Sequence, residues 1–520
     1  MKTFCLTVLC LVAVLALVSC HDKVENPNSN LSLDDYTSMT SSSYRLNSRR
    51  IREEIGVLVR ADADSMLADR RTKSYYLNTH PFIWVDRKGL DHRADTLLRQ
   101  LQGVSEMGFN PHRFHLPQIA RDLERMRTLD FDTASNSINK VMARLEYYLT
   151  KAYLRYSTGQ QFGFVNPKTT FNRLDVHDST GTHRTYNTLF ALKVHQPDNA
   201  FFGKALHKVK TDSVGPFLRE VEPTSPFYYK LRALLAKGTV DRATLLANME
   251  RCRWRMDDYP QQHSKHIIVN IPSFHLTATD GDSVLTMRVG CGTLQNKTPL
   301  MAGRIKRVDL NPQWIMPKSI IRKSILPRLG NRAYFTQHRY FIRNRETGEK
   351  VDVAQVTPQM LLSGQYLVIQ EGGMGNALGR MIFRFDNNLS IYLHDTSSPD
   401  FFALDDRGVS HGCVRVERPF DLAVFLMENK DPKVIGKVSY SIHADVSPLG
   451  KDTEELTERQ QQVLDTLRRD KLMGNIKIKP EIPVYLLYYT LFPNSKGRIE
   501  QFRDVYGYDA VIGQIIRNYM

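Results

Sequence analysis

The hydrophobic pattern of this chain changes period at His266. Upstream, apolar residues recur at helical spacing: Ile51, Ile55, Leu58 and Leu67, then Leu97, Leu98, Leu101 and Val104. From His266 the stretch HIIVNIPSFHLTATDGDSVLTMRVG alternates apolar and polar residues on both sides of Asp280-Gly281. Side chains return to one face every 3.6 residues on a helix and every 2 on a strand, so each pattern selects its own element. A helical block followed by a strand block predicts an α+β, multidomain chain.

The same reading sets boundaries. Residues 45–245 are expected to form a helical scaffold domain, 246–450 a mainly-β domain, and 451–520 a C-terminal helix and strand packed on it. The pattern is helical from Arg45 to about Lys73, and again up to Gly108, where Asn110-Pro111 stops it. Further helices are expected at Pro117–Leu129, Ser135–Tyr156, Phe227–Ala236 and Thr244–Arg255. Asp280-Gly281 between alternating runs signals a hairpin. Around 308–360 the chain is basic and broken by Pro312, Pro317 and Pro327, which reads as an insertion that covers something. Strands resume with QYLVIQ and RMIFRFDNNLSIYLHDT, turning at Asp386-Asn387-Asn388. PFDLAVFLMEN is a short helix with Pro419 near its first turn. The tail holds a charged helix around Glu454–Arg469 and the apolar strand IPVYLLYYTLF.

At the N-terminus, Lys2 precedes an apolar run from Phe4 to Val18, short for a membrane span, so residues 1–20 read as a secretory signal. Its end, Leu17-Val18-Ser19-Cys20, resembles the bacterial lipobox. That resemblance implies cleavage before Cys20 and acylation of it, hence membrane attachment through an N-terminal lipid. The alternative is an ordinary signal with a chance cysteine. Residues 21–44, polar and rich in Ser and Asn, read as a flexible tether. The implied place is the cell envelope: lipid-anchored in the periplasm, at the outer membrane.

Lys+Arg number 71 and Asp+Glu 55, a formal charge of +16. A secreted basic chain seldom meets nucleic acid. Its expected polyanions are cell-wall polymer, lipid head groups or acidic peptides, and a solvated basic surface is the plainer reading. Cys5 and Cys10 leave with the signal. Cys252, Cys291 and Cys413 remain, too few for a disulfide framework. At most Cys252 pairs with Cys291, which leaves Cys413.

Cys413 lies in IYLHDTSSPDFFALDDRGVSHGCVRVERPFDLA, Ile391 to Ala423. A thiol attacks as thiolate and needs a base or a lowered pKa. His394 ends a predicted strand, and Cys413 follows at 413 − 394 = 19 positions, a loop long enough to return to the strand end. His394 would take the thiol proton and give it to a leaving amine. Gly412 lets backbone amides face an oxyanion, and Arg415 has a planar fork suited to a carboxylate. The residues leave rivals open: a buried structural thiol at Cys413, Arg415 paired with Glu417 or Asp421, or a zinc site from His394, Asp395, His411 and Cys413, which no CxxC or HExxH spacing supports. The spacing Gly373-x-Gly375-x-x-x-Gly379 misses the nucleotide-binding patterns.

The order His, variable loop, Ser-His-Gly-Cys-hydrophobic-Arg resembles the signature of the L,D-transpeptidase (YkuD-like) family. NMERCRWR, NPQWIMPKSIIRKSILPRL, GGMGNALGRMIFRFDNNLSIYLHDT, PFIWVDRKGL and GFNPHRF resemble segments of its long, multidomain form. The resemblance implies Cys413 as nucleophile and His394 as base, with the Asp395 main-chain carbonyl as third member. It implies amides around Gly412 and Cys413 as the oxyanion hole, with the Tyr392 hydroxyl as a helper. Arg415 would hold a substrate carboxylate or fix the loop, Trp314 would contact substrate from the capping insertion, and Ser410 and His411 would shape the loop. Implied partners are peptidoglycan stem peptides, as donor and acceptor, without metal or cofactor, on a monomer. The implied reaction is a 3→3 cross-link through a cysteine thioester with release of D-alanine, inhibited by carbapenems. An L,D-carboxypeptidase, transfer to another amine, and a non-catalytic wall-binding lipoprotein are the alternatives. The small peptidoglycan-binding insert of long-form relatives is absent, since only KGTVDRAT separates YYKLRALLA from NMER. Cys252 stands where an aromatic residue is expected, in a packing role.

Overall fold

The computed structural model describes residues 47–519, except 87–88, 133, 179–184, 445–464 and 495. The signal, Cys20 and the tether lie outside the described residues, as does most of the expected charged helix at Glu454–Arg469. The rest divides into two compact units. One holds the described residues up to Val165, His195–Arg255 and Asp509–Met520; the other holds Asn166–Val194 and Met256–Tyr508. Among the described residues no helix is long and apolar enough to cross a membrane.

The first unit is helical: α1 Ser48–Ala61, α2 Leu67–Leu77, α3 His92–Gln102, α4 Leu116–Thr128, α5 Ile138–Phe162, α6 Asn199–Lys210, α7 Val214–Val221, α8 Pro226–Lys237 and α9 Arg242–Arg253. Helix α5 is the core, packed by α1, α2, α4, α7 and α9 and buried on nearly every face. Several of its polar residues are bonded inside the unit. The Glu146 carboxylate accepts the N–H groups of Ile83 (2.6 Å), Trp84 (3.0 Å) and Val85 (3.0 Å) and the Tyr76 hydroxyl (2.8 Å), which pins PFIWV to the helix. Lys151 binds Asp62 (2.6 Å) and Asp64 (2.7 Å), and Arg155 binds Asp64 and Asp69 (both 2.7 Å). These bonds explain why the helical run expected from Arg45 to Lys73 breaks between α1 and α2: the connecting carboxylates turn inward to α5. Helices α6 and α7 were not anticipated in the sequence.

The second unit contains, among its described residues, a nine-stranded sheet. In chain order its first four strands are β1 Lys265–Asn270, β2 His275–Asp280, β3 Ser283–Gly292 and β4 Met301–Leu310. The cap strands β5 Trp314–Ile315, β6 Tyr340–Asn344, β7 Lys350–Val351 and β8 Tyr366–Gln370 follow. The large sheet resumes with β9 Met381–Phe385, β10 Leu393–His394, β11 Gly408–Ser410, β12 Val414–Val416 and β13 Asn475–Leu487. Its order is β11-β3-β12-β10-β9-β4-β13-β1-β2, and β2 also pairs with β3. That last pairing closes the sheet into a barrel, with β11 outside the ring, and removes the exposed edges an open sheet would leave. The expected β2–β3 hairpin is present, but Asp280 pairs with Ser283, so its two turn residues are Gly281-Asp282, with Gly281 at φ +56°.

Several boundaries differ from the sequence reading: the helical unit runs to Arg255, past 245, and Asn166–Val194 belongs to the barrel's unit. Barrel strand β4 runs to Leu310, so the insertion starts later than 308, and QYLVIQ is its strand β8, so it ends later than 360. The insertion has its own sheet, β7-β6-β8-β5, and its own apolar core of Ile321, Ile325, Phe335, Ile342, Leu361 and Val368, which is why it reads as irregular next to the barrel pattern. The 451–520 segment does not stay with the barrel throughout. Strand β13 lies between β4 and β1, whereas Asp509–Met520 belongs to the helical unit, where Asp509 pairs with Arg251 at 2.6 Å.

Candidate active site

Strands β10 and β12 are parallel neighbours in register: Leu393 opposite Val414 and His394 opposite Arg415. Val414 N–H donates to the Tyr392 carbonyl (3.0 Å), which continues that register one step back. Side chains alternate faces along each strand, so His394 and Tyr392 share a face with Arg415 and Cys413. Leu393 and Val414, on the other face, are fully buried. Neighbouring strands lie about 4.8 Å apart, so the topology itself returns the 19-residue loop to the histidine.

His394 is 4 % exposed, and its Nδ1 lies 2.5 Å from the Asp395 carbonyl. A carbonyl accepts only, so Nδ1 carries the proton and Nε2 is left with the lone pair. Burial pushes the imidazole down to about 4, with Arg415 adding to the shift and the carbonyls of Asp395 and Leu378 opposing it. The Asp395 carboxyl is separate from this contact. Its Oδ2 accepts the Arg380 N–H at 2.7 Å, and burial raises its pKa against that bond.

Cys413 is half-buried, and Sγ lies 3.6 Å from the Ser390 carbonyl. Ser390 has φ +55°, in a turn drawn tight by Asn387, whose Oδ1 accepts the N–H groups of Leu389 (3.0 Å) and Ile391 (3.1 Å). Burial pushes the thiol above its ordinary value, while the Tyr392 N–H, Arg415 and Arg384 pull it down. Both shifts favour the uncharged form, neutral imidazole at His394 and neutral thiol at Cys413.

Gly412 sits at φ +117°, which side-chain-bearing residues rarely adopt. Its N–H donates to Ser410 Oγ (3.0 Å), and Ser410 Oγ donates to the Cys413 carbonyl (2.5 Å). The Gly412 amide is thereby occupied, contrary to the oxyanion expectation: the serine side chain competes for it. The Cys413 N–H has no acceptor among the described residues. Ser410 is buried and His411 exposed. Partial burial, Lys323 of the cap and Arg415 push His411 below its ordinary range.

The suspected carboxylate partners of Arg415 are engaged elsewhere. Glu417 binds Arg288 (2.8 Å to Nε) and Asp421 binds Arg418 (3.3 Å). The Arg415 guanidinium lies 5.5 Å from the Phe401 ring centroid, and its buried Nε has no partner. Tyr392 packs its ring against Phe385 and under the Arg384 guanidinium, 5.0 Å away. Trp314 is half-buried against the cap core, on β5 beside Gln370 of β8. No group of three or more His, Cys, Asp or Glu side chains that could hold a metal gathers among the described residues, and Cys252, Cys291 and Cys413 are free thiols.

Sequence reading missed the support behind the Cys413 loop. Thr298, fully buried, donates through Oγ1 to the Gly412 carbonyl and accepts the Gly292 N–H, both at 2.8 Å. Its own N–H donates to the Tyr506 hydroxyl (3.1 Å), which donates to the Gly292 carbonyl (2.7 Å). Nothing local in NKTPL or DVYGY marks these residues, because the bonds span up to 214 positions.

Residues 264–435 match the L,D-transpeptidase catalytic domain (YkuD), and residues 70–235 match the scaffold domain. Over 324 residues the chain is 27 % identical to a Haemophilus influenzae protein named "Putative L,D-transpeptidase", covering 62 % of this chain and 60 % of that protein. The match thus spans less than two thirds of that relative. The first match falls on the barrel, and the second falls on the helical unit except for Asn166–Val194, which belongs to the barrel's unit. The chain thus carries an L,D-transpeptidase catalytic domain of the YkuD type after a scaffold domain.

Proposed function

We propose that this chain is a cysteine acyltransferase that forms 3→3 peptidoglycan cross-links. The observation that carries the reading is the shared face of β10 and β12. It supports the reading because the register runs the His394 strand beside the strand that follows Cys413, with His394 Nδ1 turned to the Asp395 carbonyl and Arg415 without a carboxylate partner among the described residues. Arg415 binds a carboxylate of the donor stem tetrapeptide. Cys413 Sγ attacks the carbonyl of the third residue while its proton passes to His394 Nε2. The Cys413 N–H receives the developing oxyanion. The C–N bond to D-alanine breaks, and His394 returns the proton to the leaving amine. A side-chain amine of a second stem then attacks the thioester, loses its proton to His394, and frees the thiol. On the reading of residues 1–20 as a lipoprotein signal ending at Cys20, the protein works in the cell envelope, lipid-anchored in the periplasm.

A carbapenem tests the nucleophile. Intact mass is expected to show one adduct on the wild-type chain and none on Cys413→Ala, and equal labelling of both would overturn the assignment. Purified tetrapeptide fragments test the acceptor. Dimers with 3→3 links support transfer, tripeptides alone make it an L,D-carboxypeptidase, and unchanged fragments make it a wall-binding module.

A further inference from the structure

The cap leaves the barrel through residues 311–313 and returns through 371–380, the Gly-rich EGGMGNALGR. At its cap end the return segment is gripped by Arg339, which donates to the carbonyls of Met374 and Gly372 (both 2.8 Å) and pairs with Glu371 (3.3 Å). Gln370 accepts the Ala377 N–H (2.9 Å) and donates to the Gly375 carbonyl (3.2 Å). The two connecting segments touch where Gly372 faces Asn311: a Cβ there would lie 2.2 Å from the Asn311 carbonyl oxygen.

At its barrel end the same segment meets the histidine loop. Arg380 N–H donates to Asp395 Oδ2 at 2.7 Å. Gly379, at φ +66°, packs so closely on that carboxyl that a Cβ would lie 2.4 Å from its Cγ. The Leu378 carbonyl faces the His394 ring, and the Thr396 N–H lies near enough to the Asp395 carboxylate to favour its charged form. One residue thus makes two separate attachments. Its main-chain carbonyl holds His394 Nδ1, and its carboxylate joins backbone amides from the cap's return segment and from the loop after the histidine. A carboxylate suits that task because its two oxygens accept several bonds at once.

We propose that the Asp395 carboxylate is a positioning group that ties the cap's return segment to the histidine loop, so that the placement of the cap sets the orientation of His394. The proposal rests on the reading that Cys413 and His394 carry the chemistry. It makes the Gly-rich stretch a mechanical link, and it explains the bare Cα at Gly379.

The test measures carbapenem acylation of the full chain at saturating and limiting concentrations. Asp395→Ala is expected to lower the limiting acylation rate by about tenfold or more, the order that a small misplacement of a catalytic group costs, with a much smaller change in apparent affinity. Asp395→Asn keeps an acceptor for the Arg380 N–H and is expected to recover most of the rate. Arg339→Gln, at the cap end, is expected to slow acylation severalfold, and the Arg339→Gln/Asp395→Ala double variant to be no slower than Asp395→Ala. Absence of wild-type labelling at Cys413 would overturn the chemistry and this proposal together. A labelled wild type with Asp395→Ala at the wild-type rate, or with independent, multiplicative effects in the double variant, overturns the positioning role alone. Should Asp395→Ala fail to fold, Arg339→Gln decides: acylation at the wild-type rate overturns the coupling.

Discussion

Thr298 Oγ1 donates a hydrogen bond to the carbonyl of Gly412 at 2.8 Å, directly behind Cys413. The two residues are 114 positions apart, and the threonine is wholly buried. Because Oγ1 also accepts the Gly292 N–H, one hydroxyl fastens the loop that presents Cys413 to strand β3. The left-handed turn at Gly412 is held on one side by this threonine and on the other by Ser410.

Replacing Thr298 by Val keeps the shape and removes the hydroxyl, leaving a buried carbonyl and a buried N–H unpaired. Each such orphan costs about 1–3 kcal/mol. Thr298→Val is expected to lose stability of that order in urea unfolding and to acylate more slowly, with Thr298→Ser close to wild type. A valine variant as stable and as fast as wild type would show that the loop is held by other contacts.

Acid and alkylation behaviour follow from the two shifted groups. His394 titrates at about 4, and the Cys413 thiol is held above its ordinary value of 9.0. Acylation needs neutral imidazole, so its rate is expected to stay level through pH 6.5, where an unperturbed histidine begins to charge, and to fall as pH approaches 4. Alkylation of the free chain by iodoacetamide, which needs thiolate, is expected to rise only on the alkaline side of 9. Fast alkylation at pH 6 would instead mark a preformed thiolate–imidazolium pair. Stability has the same acid window. Histidines lowered from 6.5 to about 4, His394 and likewise His115 in the helical unit, leave the unfolded chain binding more protons between those values. Each costs the fold up to roughly 3 kcal/mol as pH falls from 6.5 through 4.

Arg415 is a local field and, on the proposed reading, an anion contact. Removing its charge in Arg415→Gln is expected to raise the thiol further and to let His394 climb back toward its ordinary range. A lost charged hydrogen bond to substrate costs about 1.5–3 kcal/mol, or roughly ten- to a hundredfold in kcat/KM on tetrapeptide. Arg415→Lys keeps charge without the planar fork and is expected to recover only part. An unchanged KM with an unchanged pH profile would make Arg415 a packing residue against Phe401.

The two-period pattern made the helical unit and the barrel strands legible, since amphipathic spacing depends on burial that the chain itself encodes. The shared face of Tyr392, His394, Cys413 and Arg415 was half legible: the alternation at 392/394 and 413/415 is visible, but the pairing of β10 with β12 is not, because β10 is only two residues long. Long-range hydrogen bonds such as Thr298 to Gly412 leave no local trace. The occupied Gly412 amide was hidden for another reason. A serine two residues before a glycine is ordinary loop composition, and only the turn reveals that its Oγ takes the amide. The cap strand β8 looked like a barrel strand because QYLVIQ has the same composition; the core it faces decides its sheet.

Glu146 makes the sharpest stability prediction. It is wholly buried on α5, and its carboxylate ends three backbone N–H groups of PFIWV and the Tyr76 hydroxyl. Burial raises its pKa, and those donors restrain the rise. Glu146→Ala leaves three buried amides without an acceptor, and at about 1–3 kcal/mol for each orphan the loss is expected to exceed roughly 3 kcal/mol. Glu146→Gln keeps one acceptor oxygen but turns an NH2 toward an N–H, so an intermediate loss is expected. Trp84 is buried beside the carboxylate, with Nε1 donating to Thr150 at 3.0 Å, so its fluorescence reports on this contact. Urea unfolding followed at tryptophan should therefore rank wild type above Glu146→Gln above Glu146→Ala. A loss under 1 kcal/mol in the alanine variant would mean that water or a shift of the PFIWV segment replaces the carboxylate.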